Sequence, residues 1–296
     1  MIDWMMNQFI DWFSSALSGC LDVLLSVMGG TTLLVPNVTI IAQAHEIWAH
    51  TLGIVNIAYV LVLVAGAAIA LSYETIQIRY TVKDLAPRVV FGIVAANLSF
   101  DWCNRIFVLA QQLLNALADG PLGGVDTDAA IRAQVDAALY DQPASAVLLM
   151  VIIAALVVFL LAALTFGWIV RIGVLLVLTV SAPLALACHG LPQLDPVAKL
   201  WWRTLFGTVG IQVMQALVLL SGIGVFMTPA SPVAQQMQVA GGGVINMFVL
   251  VTLLWTAVKV PSLMRRYVLR GGGNNLGSSL VRVVLVQQVA RRILRF

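Results

Sequence analysis

The stretch between Asp141 and Asp195 reads QPASAVLLMVIIAALVVFLLAALTFGWIVRIGVLLVLTVSAPLALACHGLPQL and carries one formally charged side chain, Arg171. Its apolar part, Ala144–Leu191, would reach roughly 70 Å as a single helix at about 1.5 Å per residue. The hydrocarbon core of a bilayer is only about 30 Å thick. No soluble domain of this size buries such a run, so the sequence predicts that the chain lies in lipid. Whether the run crosses once or twice decides the topology.

The composition of the whole chain agrees with a membrane location. Of its 296 residues, 61% are hydrophobic and 10% are charged, whereas a soluble domain averages roughly 25% charged residues. The apolar runs are continuous, unlike the alternating segments of about ten residues that build a transmembrane β-barrel. The sequence therefore predicts an all-α, polytopic membrane helical bundle. It divides into an acidic amphipathic N-terminal segment (1–50), a membrane domain (51–263) and a basic tail (264–296).

The N-terminal segment has the pattern of an amphipathic helix. Residues 1–29 place Trp, Phe and Leu side chains at helical spacing among Asp and Ser, and Gly29-Gly30 ends the pattern. Tryptophans in such a helix settle at a membrane interface. We expect this acidic helix to lie on the membrane or to pack against partner helices.

Two spans are predicted in the first 118 residues. Ile54–Tyr73 is an uncharged apolar helix, and a charged loop, Glu74–Arg88, follows it. Pro87 is expected to start the second helix, because proline is tolerated in a first turn. This second helix should run to about Ala118.

The second predicted helix carries Asp101 and Arg105, one turn apart at membrane depth. Ionisable side chains within a membrane are candidates for function. An acid and a base one turn apart can also neutralise each other and hold a helix interface. We expect an intramembrane ion pair with a structural role, and the functional interpretation stays open.

Further elements follow the acidic segment Asp119–Asp141. They are, in chain order, a short helix Ala129–Tyr140, the long apolar run, a span Thr204–Phe226 that carries Gln212 and Gln215, and a last span Val244–Val260.

Aromatic and basic side chains predict contacts with the membrane surface. Trp201, Trp202 and Arg203 follow the long apolar run and form an expected interfacial anchor. The basic tail ends in an amphipathic helix, for which lipid or a cytoplasmic protein is the expected partner. Sequence-specific nucleic-acid binding is not expected, since no recognised nucleic-acid-binding fold is apparent. The tail residues expected to make these contacts are Arg265, Arg266, Arg270, Arg291, Arg292 and Arg295.

Charge is unevenly distributed along the chain, and this sets the predicted topology. Residues 1–78 contain no Lys or Arg, and residues 196–296 contain no Asp or Glu. The positive-inside rule then places the N-terminus outside and the C-terminus in the cytoplasm. The result is a multi-pass protein of the cell membrane with five crossings, six being the alternative.

The positive-inside rule also requires the long apolar run to cross the membrane an odd number of times. Ala144–Val170 would span the bilayer, and Arg171 would mark its inner boundary. Ile172–Leu191 would then form a re-entrant hairpin turning near Ser181-Ala182-Pro183, or a helix that continues inward under protein cover. Because an apolar segment on the inner side needs a partner to bury it, we expect a homo-oligomer.

No catalytic residue, metal site or cofactor is predicted. The histidines of His45–His50, HEIWAH, are five residues apart, whereas the zinc motif HExxH separates them by four. No GxSxG motif of a serine hydrolase occurs, and the three cysteines are far apart. We therefore do not expect an enzyme. A transporter or channel for a small solute stays open as an alternative, although no internal repeat supports it.

Three phrases carry a resemblance to a known family. They are KDLAPRVVFGIVAANLS (Lys83–Ser99), SAPLALACHGLPQLDPVAKLWWRTL (Ser181–Leu205) and VKVPSLMRRYVLRGGG (Val258–Gly273). With the hydropathy of residues 50–273, they resemble the TrbL family of conjugal transfer proteins, polytopic inner-membrane components of type IV secretion systems, here of the Gram-positive, actinobacterial type. The resemblance implies a non-enzymatic scaffold or channel component that contacts pilin or stalk subunits and cytoplasmic ATPases. It implies no catalytic residues.

Overall fold

All regular structure is helical in the part of the chain that the computed structural model describes, residues 2–29, 35–72, 76–118, 127–140, 147–191, 194–226 and 243–270. The helices are α1 (Ile2–Gly29), α2 (Ala42–Ser72), α3 (Ile76–Asn97), α4 (Ser99–Ala118), α5 (Thr127–Tyr140), α6 (Val147–Ala187), α7 (Asp195–Phe226) and α8 (Gly243–Arg270). Short 3-10 turns at Val38–Ile40 and Cys188–Gly190 precede α2 and follow α6. The predicted all-α bundle is confirmed.

Four of the described helices, α2, α6, α7 and α8, are long and apolar enough to cross a membrane. The bent pair α3–α4 makes a fifth if it is counted as one span. This number agrees with the prediction of about five transmembrane helices, and the chain is a membrane protein.

The central helix is α6, which contacts each of the seven other helices. Its 41 residues correspond to about 60 Å, roughly twice the thickness of a hydrocarbon core. Its first half shares a buried core with α1, α5, α7 and α8. Its second half shares another core with α4 and α7, and its end meets α2 and α3.

The predicted hairpin at Ser181-Ala182-Pro183 is wrong, because α6 continues through these residues to Ala187. A proline inside a helix removes one backbone hydrogen bond, but packing holds the helix together here. The indole N–H of Trp201 donates to the carbonyl of Leu178 at 3.0 Å, and Leu186 is buried in the core that also contains Phe107. The second half of the run is thus a helix that packs against other helices. This agrees with the alternative expectation, a continuing helix under protein cover.

This cover comes from the chain itself. Leu175, Leu178 and Ala182 of α6 are buried against α4 and α7. The chain itself therefore buries one face of Ile172–Leu191, while Val177 and Leu184 are 64% and 50% exposed. The homo-oligomer stays a prediction.

The expected loop Glu74–Arg88 is mostly helical. α3 begins at Ile76, and Pro87 lies inside it rather than in a first turn. An internal proline costs the helix one backbone hydrogen bond, and the turn that follows it packs against α2. Val89 packs with Tyr59 of α2 in a small buried core.

The expected single helix from Pro87 to about Ala118 is also wrong, because α3 and α4 meet at a bend of 58° around Leu98. Polar side chains at the bend compete for a carbonyl of the helix or bond to a neighbouring helix, which favours a break. The amide of Asn97 donates to the carbonyl of Ile93 at 2.8 Å. The buried hydroxyl of Ser99 accepts from the indole of Trp48 at 2.9 Å.

The first predicted span begins earlier than expected, at Ala42 rather than Ile54. The additional turns are stabilised by aromatic packing on α4, where the rings of His45 and Trp48 each lie 5.0 Å from that of Phe100. The domain boundary drawn at residue 50 therefore falls within one helix.

The N-terminal helix α1 packs along α6 and α5. Leu17, Leu21 and Leu25 are buried in the core that contains Ile131 and Met150. The predicted short helix Ala129–Tyr140 corresponds to α5, and an ion pair between Asp22 and Arg132 joins it to α1. Of the two expectations for α1, packing against other helices is confirmed, and those helices belong to the same chain.

The far end of α6 is closed by a tight contact with α2 and α3. The hydroxyl of Tyr59 donates to the carbonyl of Ala187 at 2.5 Å. A Cβ on Gly92 would lie 2.9 Å from the backbone nitrogen of Gly190. Only glycine lets α3 approach the chain this closely.

Candidate functional site

A layer of polar side chains crosses the otherwise apolar centre of the bundle. Arg171 of α6 and Gln212 and Gln215 of α7 are 9%, 4% and 6% exposed. Buried polar groups of this kind are costly unless they are hydrogen-bonded. Their partners therefore decide whether the layer is structural or available for function.

The three side chains link α6, α7 and α8. Nη1 of Arg171 donates to Oε1 of Gln212 at 2.6 Å, and its Nε donates to the carbonyl of Gly167 at 3.1 Å. Nε2 of Gln215 donates to the carbonyl of Ala257 in α8 at 2.7 Å. Gln212 and Gln215 are three residues apart, which is about one helical turn. A single turn of α7 therefore bonds to both α6 and α8.

Arg171 is therefore a buried interior residue. The sequence predicted a boundary charge, but the side chain turns into the bundle and binds α7. Its depth relative to the membrane stays a prediction. The separation of 41 residues from Gln212 explains why no local pattern could identify the pair.

No carboxylate pairs with Arg171 among the described residues. The ion pairs there join Arg132 to Asp22, and His189 and Lys199 to Asp195. An amide oxygen and a backbone carbonyl supply partial negative charge, but they do not neutralise the guanidinium. Among the described residues, the charge of Arg171 is therefore held inside the helical bundle without an opposite charge beside it.

An open cleft of 590 Å³ borders this charge between α6, α7 and α8. Its lining residues are Val170, Arg171, Val174, Thr204, Gly207, Thr208, Ile211, Val258, Pro261 and Ser262. The cleft combines one cation with hydroxyl groups and apolar walls.

Asp101 and Arg105 do not form the expected ion pair. Both side chains are exposed on α4, and none of the ion pairs among the described residues joins them. They remain on one face of the helix, so their role in an interface stays a prediction.

Uncharged polar residues of α4 make the long-range contacts instead. Oδ1 of Asn104 accepts from Nδ2 of Asn37 at 3.1 Å and from the hydroxyl of Thr39 at 3.0 Å. Oε1 of Gln111 accepts from the backbone N–H of Val35 at 2.7 Å. These contacts hold the connection between α1 and α2. Asn104 and Gln111 are seven residues apart, or two helical turns. This spacing of uncharged polar residues on one helix face could have indicated the contact, whereas a search for charged residues does not find it.

The predicted anchor of Trp201, Trp202 and Arg203 is only partly at the surface. Trp201 is 5% exposed and belongs to the core of α6 and α7. The ring of Trp202 is half-buried and stacks on Phe206 with centroids 5.6 Å apart. Arg203 is half-buried. Trp201 is thus a packing residue, and the anchoring role of the other two stays a prediction.

The basic tail is largely beyond the described structure. α8 continues to Arg270, and the side chains of Arg265, Arg266 and Arg270 are outside the described part. Arg291, Arg292 and Arg295 lie outside the described residues, as does the predicted terminal helix.

We predict that Gln212→Leu destabilises the protein by about 1–3 kcal/mol, because Nη1 of the buried guanidinium loses its acceptor. Adding Arg171→Leu should restore part of this loss, since both polar partners are then absent. Thermal unfolding of the wild type, both single variants and the double variant in one detergent measures the coupling. Strictly additive losses, or a Gln212→Leu variant as stable as the wild type, would contradict a role for the pair.

No curated protein and no solved structure matches the chain. The family described as Conjugal transfer protein TrbL matches residues 84–295, which is more than two thirds of the 296 residues. The match begins later than the predicted resemblance and extends through the basic tail. The chain belongs to the TrbL family of conjugal transfer proteins.

Proposed function

We propose that the chain is a non-enzymatic scaffold or channel component of a conjugative type IV secretion machine. In this proposal it lies in the cell membrane with its N-terminus outside and its C-terminus in the cytoplasm. Membership of the family supports the role in conjugal transfer. The observation that supports a structural role is the position of α6, whose contacts with all seven other helices fix them relative to one another.

The outer surface of the bundle supports assembly within a membrane. Ile54, Ile57 and Leu61 of α2 are each 65% exposed. Exposed apolar side chains on this scale require lipid or another protein to cover them. We propose membrane lipids, further copies of this chain, pilin or stalk subunits, and cytoplasmic ATPases as the contacts of this surface and of the tail.

A small-solute transporter or channel is the alternative, and the cleft beside Arg171 is the observation that favours it. The polar layer weighs against it, because Gln212 and Gln215 are engaged with a side chain and a carbonyl of neighbouring helices. Solute-specific flux through proteoliposomes that contain only this chain would favour the transporter.

We predict that deletion of the chain abolishes plasmid transfer and that the wild type restores it. A truncation after Gly273 should reach the membrane but restore less transfer, because each basic residue near an anionic leaflet contributes about 1 kcal/mol. Glutamine at Arg291, Arg292 and Arg295 is the matched control that keeps the length of the tail. Transfer frequency and the amount of protein in the membrane fraction are the measurements.

Two outcomes of this assay are decisive. Unchanged transfer after deletion would exclude the conjugal role. Full transfer by the truncated chain would exclude only the role of the tail.

We predict that cysteines placed at Ala129 and Lys199, both exposed, lie on opposite sides of the membrane. In a chain whose native cysteines are replaced, an impermeant maleimide should label the Ala129→Cys variant in intact cells. It should label the Lys199→Cys variant only after permeabilisation, since the positive-inside rule places that segment in the cytoplasm. Labelling of both variants in intact cells would contradict the five-crossing topology.

A further inference from the structure

We infer that the cleft between α6, α7 and α8 binds the phosphate of an anionic phospholipid, with Arg171 as the residue that recognises it. This inference is independent of the secretion role and requires only that the chain lies in a membrane.

Arg171 brings a buried positive charge to the wall of the cleft. Arg171 as a whole is 9% exposed, and none of the ion pairs among the described residues supplies its guanidinium with a carboxylate. A guanidinium has five N–H donors. Bonds from Nε and Nη1 go to Gly167 and Gln212, and these bonds fix the orientation of the group. A phosphate oxygen is a strong acceptor for the donors beyond these two bonds.

The cleft also has the size and the polar lining that a lipid headgroup needs. Arg171 contributes to its wall together with the hydroxyl-bearing residues Thr204, Thr208 and Ser262. The three hydroxyls donate to carbonyls of their own helices, so they make the wall polar, and the N–H donors for a phosphate come from Arg171. The cleft of 590 Å³ is large enough for a headgroup, since ligand sites of roughly 300–1,000 Å³ are usual.

The apolar walls decide between a lipid and a free anion. Val170 and Val174 line the cleft and are 47% and 38% exposed, so the cleft opens on the outer apolar surface of the bundle. A lipid can therefore enter from the side and lay its acyl chain along α6, whereas a free phosphate gains nothing from these walls. Basic pockets between membrane helices are known to hold anionic headgroups.

A further cation lies near the cleft, one residue after Val258 of its lining. Lys259 of α8 is exposed and sits over the ring of Trp255, 4.7 Å from its centroid. It lies two residues before Pro261, which lines the cleft. Its charge adds to the attraction of an anionic lipid toward this end of the bundle.

The test is lipid binding to the full-length protein in nanodiscs of phosphatidylcholine that contain increasing phosphatidylglycerol. Native mass spectrometry counts retained lipids, and thermal unfolding reports the stabilisation. We expect the wild type to retain phosphatidylglycerol and to melt at a higher temperature as its fraction rises. Arg171→Gln should weaken this binding about tenfold or more, because a charged hydrogen bond is lost.

Two further variants keep the proposal falsifiable if Arg171→Gln does not fold. Thr208→Leu narrows the cleft and leaves Arg171 and Gln212 in place, so it should also lose the bound lipid. Thr256→Leu removes a hydroxyl with the same bond to a carbonyl one turn back, at an exposed position of α8 that does not line the cleft. It should bind phosphatidylglycerol as the wild type does.

Three results would overturn the inference. Equal retention of phosphatidylcholine and phosphatidylglycerol would exclude recognition by charge. Phosphatidylglycerol binding that survives both Arg171→Gln and Thr208→Leu would place the lipid site outside this cleft. A stabilisation of the wild type by inorganic phosphate in pure phosphatidylcholine that matches the effect of phosphatidylglycerol would assign the cleft to a free anion.

Discussion

Backbone N–H and C=O groups within lipid or an apolar bundle have no water to bond with, so a long apolar segment must satisfy them within its own helix. In α6 this requirement applies over 41 residues, about twice the length that a bilayer covers. The arrangement of the other helices follows from the length of α6. One set packs on the first half of α6 and another on the second half, and α7 contributes to both cores.

The polar layer lies near the junction between these two halves. Arg171 follows the last core residues of the first half and precedes those of the second. Its bond to Gln212 fixes α7 in register with α6, and the bond from Gln215 does the same for α8. The polar layer thus links three helices, and its one cation sets the chemical character of the cleft beside them.

Continuous apolar runs could be predicted from the sequence, whereas features that depend on tertiary contacts could not. α7 and α8 contain the predicted spans because their hydropathy is uninterrupted. The bend at Leu98 has no proline or glycine to mark it, and the contact beside it joins Ser99 to Trp48, 51 residues away. Likewise, Gln212 was visible as a polar residue in a span, but only the packing of α7 on α6 shows that it faces Arg171.

The continuity of α6 is the claim on which this account rests, and a distance between spin labels tests it most directly. Leu148 and Leu184 are 58% and 50% exposed and can carry labels once the native cysteines are replaced. An unbroken helix predicts a separation of about 54 Å in pulsed electron paramagnetic resonance. A chain that folds back at Arg171 would bring the labels to about 20 Å, and that distance would contradict the account.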